Sequence, residues 1–193
     1  MDLFTRYVLE NPYPAGVVML AVGAGLAWTG LGAEDRRRLS VAVVVAALGA
    51  AILGVGAVIV TPGEHARRVV LEAVDAAVQA DIAAATATLA DDAILTMGLP
   101  SNPGYPRDSI AQRLEGLAGR YRIASNRITS LESSTESKHR GVVDLVCRTQ
   151  LELGFGPVPT RWVVQVDRQP DGAWKISRVT WVTLASRTPP ERW

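Results

Sequence analysis

The chain has 193 residues, and its 20 Lys and Arg against 19 Asp and Glu give a formal net charge of +1. Because the basic side chains are scattered rather than gathered into a patch or stripe, a nucleic-acid partner is not predicted. The single cysteine, Cys147, excludes an intramolecular disulfide.

The N-terminal third contains two apolar stretches without a charged residue, Ala15 to Ala33 and Leu39 to Val60. At about 1.5 Å per residue these stretches measure about 28 Å and 33 Å as helices, close to the roughly 30 Å hydrocarbon core of a bilayer. We therefore predict a transmembrane hairpin over 15–60, preceded by a short interfacial segment over 1–14. Two buried helices of a soluble protein and a cleaved signal peptide are the alternatives.

Positive charge around the spans predicts their orientation. Arg36, Arg37 and Arg38 form the densest basic cluster, in the short loop 34–38. The positive-inside rule places such a cluster in the cytoplasm, so we expect a multi-pass membrane protein whose C-terminal domain is extracytoplasmic. Neither span contains a charged residue, so the hairpin is interpreted as an anchor rather than an ion path.

Small residues recur along both spans. They are Gly23 and Ala27 in the first span and Ala42, Ala46, Ala50 and Gly54 in the second. Small side chains allow helices to approach closely in lipid, so we predict that these faces pack against each other.

The segment 61–186 changes from helical to strand periodicity. Apolar spacing predicts helices over 64–80, 81–90 and 109–121, with Asp81 and Asp108 as N-caps. Period-two alternation predicts strands over 128–132, 141–153, 160–167 and 174–184, with a tight turn at residues 169–172. Helices followed by an antiparallel meander predict an α+β domain. Residues 187–193 are expected to form a flexible tail.

Two segments resemble NTF2-like domains of the SnoaL or ketosteroid isomerase type. They are QADIAAATATLADDAIL, Gln79 to Leu95, and DGAWKISRVTW, Asp171 to Trp181. The resemblance covers about 64–186 and implies a cone, in which a curved antiparallel sheet wraps around helices and leaves a pocket at the open end. It also implies a possible homodimer through the sheet. Because such cones host isomerases, dehydratases, hydrolases and noncatalytic modules, the residues must decide the function.

The resemblance places the steroid isomerase's carboxylate base at Met97 and its tyrosine donor at Ala73. A thioether takes up no proton and alanine has no donor, so that mechanism is not expected here. No catalytic residue and no cofactor is predicted.

Four carboxylates are candidate acids or bases. Asp91 and Asp92 form a potential coupled pair, although a structural role at the start of a strand is favoured. Asp144 and Asp167 lie in predicted strands and are expected to point into solvent. His65 and His139 are far apart in sequence without ligands at metal spacing, so no metal site is predicted.

Arg178 is the first candidate for ligand binding. Strand alternation places it on one face with Trp174, Ile176, Thr180 and Val182. A cation among apolar side chains needs an anionic partner. Trp162 and Trp181 are further candidates as aromatic pocket walls, and Tyr105 and Tyr121 as residues at the pocket mouth.

Three functional hypotheses follow. The favoured one is a noncatalytic, membrane-anchored module that binds a membrane protein partner or a second copy. The second is a pocket for a small apolar or lipid-derived ligand, with Arg178 meeting an acidic headgroup. The third is an enzyme acting on such a ligand. Only Thr61-Pro62-Gly63 separates the hairpin from the domain, so its partner is expected in or against the same membrane.

Overall fold

A computed structural model describes residues 12–32, 35–58, 60–119, 121–152, 154, 156–185 and 187–189. The chain divides into two compact units, Met1–Thr61 and Pro62–Trp193.

The first unit consists of helix α1, Pro12–Gly32, and helix α2, Arg36–Val58. Both helices are long and apolar enough to cross a membrane, with mean hydropathies of 1.6 over Pro14–Gly32 and 1.7 over Arg36–Gly54. Residues 1–11 of the expected interfacial segment lie outside the described residues.

The connection between the helices is shorter than the expected loop 34–38. Arg36, Arg37 and Arg38 belong to the first turn of α2. The Asp35 carboxylate accepts hydrogen bonds from the backbone amides of Arg37 and Arg38 at 3.0 and 3.3 Å. Because a capping carboxylate satisfies these otherwise unpaired amides, the helix begins before the apolar stretch does.

The helices of the first unit pack through a seven-residue repeat of small side chains. The buried positions are Gly16, Gly23 and Gly30 on α1, and Ala42 and Gly49 on α2. The predicted contacts at Gly23, Ala42 and Ala46 are confirmed, since a Cβ at Gly23 would lie 3.2 Å from the Ala42 oxygen and the Ala46 Cβ.

The predicted four-residue stripe is wrong in its second half. Ala50 is exposed, and a Cβ at Gly54 would have nothing within 4 Å. At 3.6 residues per turn, every fourth residue drifts about 40° around the helix, whereas every seventh returns to nearly the same face.

In its described residues the second unit contains three helices and six strands. The helices are α3, Pro62–Val78, α4, Ile82–Ala87, and α5, Arg107–Ala118. The strands are β1, Leu89–Met97, β2, Tyr105–Pro106, β3, Ile123–Ser137, β4, Arg140–Leu151, β5, Val158–Arg168, and β6, Trp174–Leu184. They form one sheet in the order β2-β1-β6-β5-β4-β3.

The sheet is mixed rather than a purely antiparallel meander. β3 to β6 pair antiparallel in sequence order, as predicted, but β1 pairs parallel with β6. The segment 88–90, assigned to a helix by its alanines, instead ends α4 and begins β1, because Leu89 and Ala90 are buried in the sheet. The turn after β5 is confirmed, with Gly172 at φ +88° and its amide donating to the Gln169 oxygen at 2.9 Å.

The two predicted helix caps differ in outcome. Asp81 caps α4, since its carboxylate accepts from the Ala84 amide at 2.9 Å. Asp108 is not a cap: α5 begins at Arg107 after Pro106, and Asp108 lies within the first turn. A carboxylate there still favours the helix by interacting with the positive end of its dipole.

α3 packs against β3 and β4 and carries one side of the core. Glycine allows the closest approach, because a Cβ at Gly141 would lie 2.3 Å from the Pro62 oxygen and 2.7 Å from the Ala66 Cβ. The fully buried side chains of this core are Ala66, Val70, Leu89, Ala93, Leu95, Met97, Ile110, Val143, Leu145, Cys147, Val164, Val166 and Ile176. We call the sheet face that carries them the inner face.

The first residues of the expected flexible tail have defined contacts. The Leu184 amide donates to the Arg187 oxygen at 2.8 Å, and the Arg187 amide returns a bond to the Leu184 oxygen at 2.9 Å. Pro189 is buried. Residues 190–193 lie outside the described residues.

Candidate functional site

The two positions that the resemblance assigns to the isomerase base and donor lie in the packed core. Met97, at the end of β1, is only 4 % exposed, and Ala73 on α3 packs against the same cluster. Met97 pairs in register with Trp181 of β6. The inner face is therefore filled with apolar side chains at these two positions.

Trp162 and Trp181 form a stacked pair on the inner face. They are register partners on β5 and β6, and their rings lie 5.0 Å apart at an interplanar angle of 10°. The Trp162 Nε1 donates to Thr160 Oγ1 at 2.9 Å, and the Trp181 Nε1 to the Thr183 oxygen at 3.0 Å. Both indoles are half-buried against the core. The structure therefore brings these two candidates together as one aromatic surface.

Arg178 lies on the opposite face from the tryptophan pair. Val166 pairs with Ile176, whereas the preceding residue of β5, Gln165, pairs with Arg178, so Ser177 is an extra residue in β6. Such a bulge reverses which residues face the core. The predicted shared face with Trp174 and Ile176 is therefore wrong.

The Arg178 side chain forms a hydrogen bond with the loop that follows β1. Its Nη1 donates to the Pro100 oxygen at 2.5 Å. In the same loop, a Cβ at Gly104 would meet the Ile94 side chain and lie 3.2 Å from the Thr96 Cγ2. Loop 98–104 thus covers part of the outer face of β1, and Arg178 holds a carbonyl of that loop.

The two tyrosines occupy different environments. Tyr105 on β2 pairs with Leu95 and packs against the core. The Cζ atom of Arg113 lies over the Tyr105 ring, 4.6 Å from the ring centroid. Tyr121 is 44 % exposed after α5. The structure therefore does not gather the five predicted ligand residues into one site, and ligand binding by any of them stays a prediction.

The strand carboxylates are ion-paired. Asp144 accepts two hydrogen bonds from Arg161, the one from Nε at 3.0 Å. Asp167 accepts from Arg140 Nε at 2.6 Å and Nη2 at 3.0 Å. Partial burial tends to raise the pKa of Asp167, but hydrogen bonds from Arg140 and Ser177 outweigh it, so this pKa lies below its usual value. Asp167 is therefore a structural anion rather than a proton acceptor.

A concavity of about 310 Å³ lies beside the two adjacent carboxylates of β1. Its lining includes Asp91, Asp92, Ile94, Gly104 and Arg107. Both carboxylates are exposed, and the buried Arg107 Nε has no hydrogen-bond partner in the part of the chain that the structure describes.

A second concavity, of about 370 Å³, lies between two turns of the sheet. It is lined by His139 of the β3–β4 turn, Arg168 at the end of β5, and Gln169, Pro170 and Gly172 of the following turn. We call it the basic concavity. No local sequence pattern predicts this concavity, because its basic residues lie about 30 positions apart and strand pairing brings them together.

His65 and Trp174 lie at the same end of the unit. Their rings stack at 4.9 Å with an interplanar angle of 8°. Burial and the positive charges of Arg68 and Arg168 lower the pKa of His65, and the opposing effect of Glu64 is smaller than that of Arg68. The local field is therefore positive, and the imidazole favours its neutral form.

Metal and nucleophile chemistry receive no support from the described residues. Among them, no group of three His, Cys, Asp or Glu side chains is placed to hold a metal ion. Cys147 is buried, and burial raises the pKa of its thiol. A buried thiol with a raised pKa is a poor nucleophile at neutral pH.

Comparisons with solved structures identify the fold of the second unit. A candidate ketosteroid isomerase from Shewanella frigidimarina is 17 % identical with a TM-score of 0.52, and the match covers 61 % of this chain and 94 % of that chain. An NTF2-like protein of unknown function from Pseudomonas putida is 16 % identical with a TM-score of 0.50, over 60 % of this chain and 81 % of that chain. No protein-family model and no curated protein matches the sequence. At this identity the similarity shows the fold alone, and the predicted NTF2-like α+β fold is confirmed.

Proposed function

We propose that this chain, an NTF2-like fold behind two apolar helices, is a noncatalytic binding module anchored in a membrane. The observation that carries the noncatalytic assignment is the filled inner face. Met97 is 4 % exposed, and it occupies the position that the resemblance assigns to the isomerase carboxylate. A thioether in a packed core neither takes up a proton nor touches a substrate.

The anchor is supported by the outward surface of the first unit. α1 and α2 bury small residues against each other and expose large apolar side chains, among them Val17, Leu31 and Val43. Such a surface is unfavourable in water and favourable in lipid. Fractionation of cells that express the full chain tests the anchor. We expect the chain to stay with the membranes after alkaline carbonate extraction, and its release into the supernatant would refute the anchor.

The outer face of the sheet is the surface proposed to bind the partner. It carries the half-buried Val142, Val146 and Val163, beside the Arg161–Asp144 pair. An apolar strip next to a charge pair suits an interface between two copies, since opposite charges then meet across the symmetry axis. We propose a second copy of the chain as the partner on this face.

Chemical cross-linking of the full chain in detergent tests the pairing. We expect a cross-linked dimer that is lost in Val163→Glu and kept in Val69→Ile, a conservative change on the helix side of the sheet. A monomer in the unchanged protein would contradict the pairing while leaving the anchor intact.

A small apolar ligand is the second candidate function, because the stacked Trp162 and Trp181 offer an aromatic surface. Native mass spectrometry of detergent-released protein tests it. The ligand hypothesis predicts a bound lipid-sized mass that Trp162→Leu removes. An unchanged mass after this substitution, or no bound mass, refutes binding at the tryptophan pair.

A further inference from the structure

The basic concavity lies at the end of the second unit where α3 begins. The Gly63 amide at the start of α3 donates to Thr135 Oγ1 of β3 at 3.2 Å. The Arg168 amide donates to the His139 oxygen at 2.9 Å and joins the two turns that line the concavity. The first turns of α3 and the basic concavity therefore belong to the same end of the sheet.

Two arginines lie at this end. His65, three residues before Arg68 on α3, stacks on Trp174, and Trp174 is the register partner of Arg168. Glu64 is a carboxylate of the same helix turn, and its effect on the pKa of His65 is smaller than that of Arg68. Within the part of the chain that the structure describes, neither guanidinium forms an ion pair. An arginine without a protein counter-ion is available to an external anion.

The carboxylates of the adjacent strands and turn are already engaged. Asp167 is held by two hydrogen bonds from Arg140. Asp171 accepts the Ala173 amide at 2.9 Å and so stabilises the turn itself. Asp167 is therefore not available as a counter-ion for Arg68 or Arg168.

We propose that the basic concavity and Arg68 bind the anionic headgroups of the phospholipids in which α1 and α2 are anchored. This inference rests on the anchor proposed above. Three residues join Val58 to Pro62, a connection that spans at most about 14 Å. Guanidinium groups bind phosphate with two parallel hydrogen bonds, and basic residues beside a membrane are attracted to its anionic lipids.

Hydrogen exchange of the full chain in lipid nanodiscs tests the proposal. One set of discs contains phosphatidylcholine alone, and the other contains equal amounts of phosphatidylcholine and phosphatidylglycerol. We expect the amides of 63–70, 168, 169 and 171–174 to exchange about fivefold more slowly in the anionic discs, the factor that corresponds to one well-placed arginine. Raising NaCl to about 0.5 M should remove the difference, because salt screens such contacts.

Two double variants distinguish an effect of the site from an effect of the protein's net charge. Arg68→Gln with Arg168→Gln removes two charges from the site, whereas Arg127→Gln with Arg148→Gln removes two from exposed register partners on β3 and β4. We expect the first pair to abolish the lipid-dependent protection and the second pair to preserve it. Equal loss in both variants would show that only net charge matters and would overturn the site.

Two other results would overturn the proposal. Equal exchange of the unchanged protein in neutral and anionic discs would show that the headgroups are not bound. Equal protection by millimolar inorganic phosphate in neutral discs would assign the concavity to a free anion instead. Failure of the chain to enter discs of either composition would refute the anchor, which is a separate readout from exchange within inserted protein.

Discussion

The hydroxyl oxygens of Thr96 and Thr180 lie 2.9 Å apart across the parallel strands β1 and β6. Both side chains are almost fully buried, at 0 % and 1 % exposure. A buried hydroxyl without a hydrogen-bond partner costs about 1–3 kcal/mol. Each threonine is the partner of the other, so this hydrogen bond stabilises the pairing of β1 with β6.

We expect Thr96→Val to lower the free energy of unfolding by about 1–3 kcal/mol, since Thr180 loses its partner. The double variant with Thr180→Val should cost less than the sum of the two single variants, because neither hydroxyl is then left unpaired. Native-state hydrogen exchange of the β1 and β6 amides measures each opening free energy. Additive effects would show that the hydroxyls do not depend on each other.

Gly141 is required for the approach of α3 to β4. A Cβ there would lie 2.3 Å from the Pro62 backbone oxygen, so we expect Gly141→Ala to destabilise the second unit by about 1–3 kcal/mol. Gly116 in α5 has nothing within 4 Å of its Cβ position, so Gly116→Ala should be neutral or stabilise by up to about 1 kcal/mol. Thermal unfolding followed by tryptophan fluorescence compares the two variants, and similar midpoints would contradict the close approach.

The seven-residue packing of α1 on α2 predicts which cysteines cross-link. A Cβ at Gly49 would lie 3.1 Å from the Met19 Cβ, so a small separation of the helices brings the two atoms to the roughly 3.5–4.5 Å found in disulfides. We expect Met19→Cys with Gly49→Cys to form a disulfide on mild oxidation, while Met19→Cys with Ala50→Cys, at an exposed position of α2, stays reduced. Mass spectrometry after alkylation distinguishes the two states. Cross-linking through position 50 would favour the four-residue stripe.

The lowered pKa of His65 predicts a pH-dependent stability. In the unfolded chain the histidine titrates near 6.5, and in the folded protein it titrates lower. Its contribution is therefore present above pH 6.5 and is lost as the pH falls through the folded pKa, because the unfolded state binds the proton more readily. His65→Phe, which keeps a ring against Trp174, should remove this part of the pH dependence.

Urea unfolding over pH 5 to 8 measures how the free energy of unfolding changes with pH in the unchanged protein and in each variant. The interval includes the usual pKa of histidine, about 6.5. His139→Gln is the matched control, since it removes a histidine at the same end that does not stack on Trp174. An unchanged slope in His65→Phe would show that another group carries the dependence.

Local sequence patterns predicted most of the long helices and strands. They failed at residues 88–90, where a helix was predicted and β1 begins. Uninterrupted apolar stretches and period-two alternation identified the long elements, and β6 begins and ends at the predicted residues. Alanines at 83–85, 87 and 90 favoured a longer helix, but burial of Leu89 and Ala90 in the sheet ends it earlier. Burial between sheet and helices outweighs an intrinsic preference of a few tenths of a kcal/mol per residue.

The candidate site was less predictable than the elements that carry it. The partnership of Trp162 and Trp181 requires the register of β5 on β6, and the face of Arg178 depends on one extra residue at Ser177. Side chains alternate between the two faces of the sheet only while every residue is paired with the neighbouring strand. A bulge therefore moves the following side chains to the opposite face, and the residue types do not indicate where this happens.

The sequence by itself determined the two apolar helices, the order of β3 to β6 and the turn after β5. These features depend on residue type and short-range spacing. Only the tertiary structure decided the parallel pairing of β1 with β6, the seven-residue contact between α1 and α2, and the gathering of Arg68, His139 and Arg168 at one end. Their physical reason is shared: each arises from contacts between segments distant in sequence, whose register and approach are selected by packing of the whole unit.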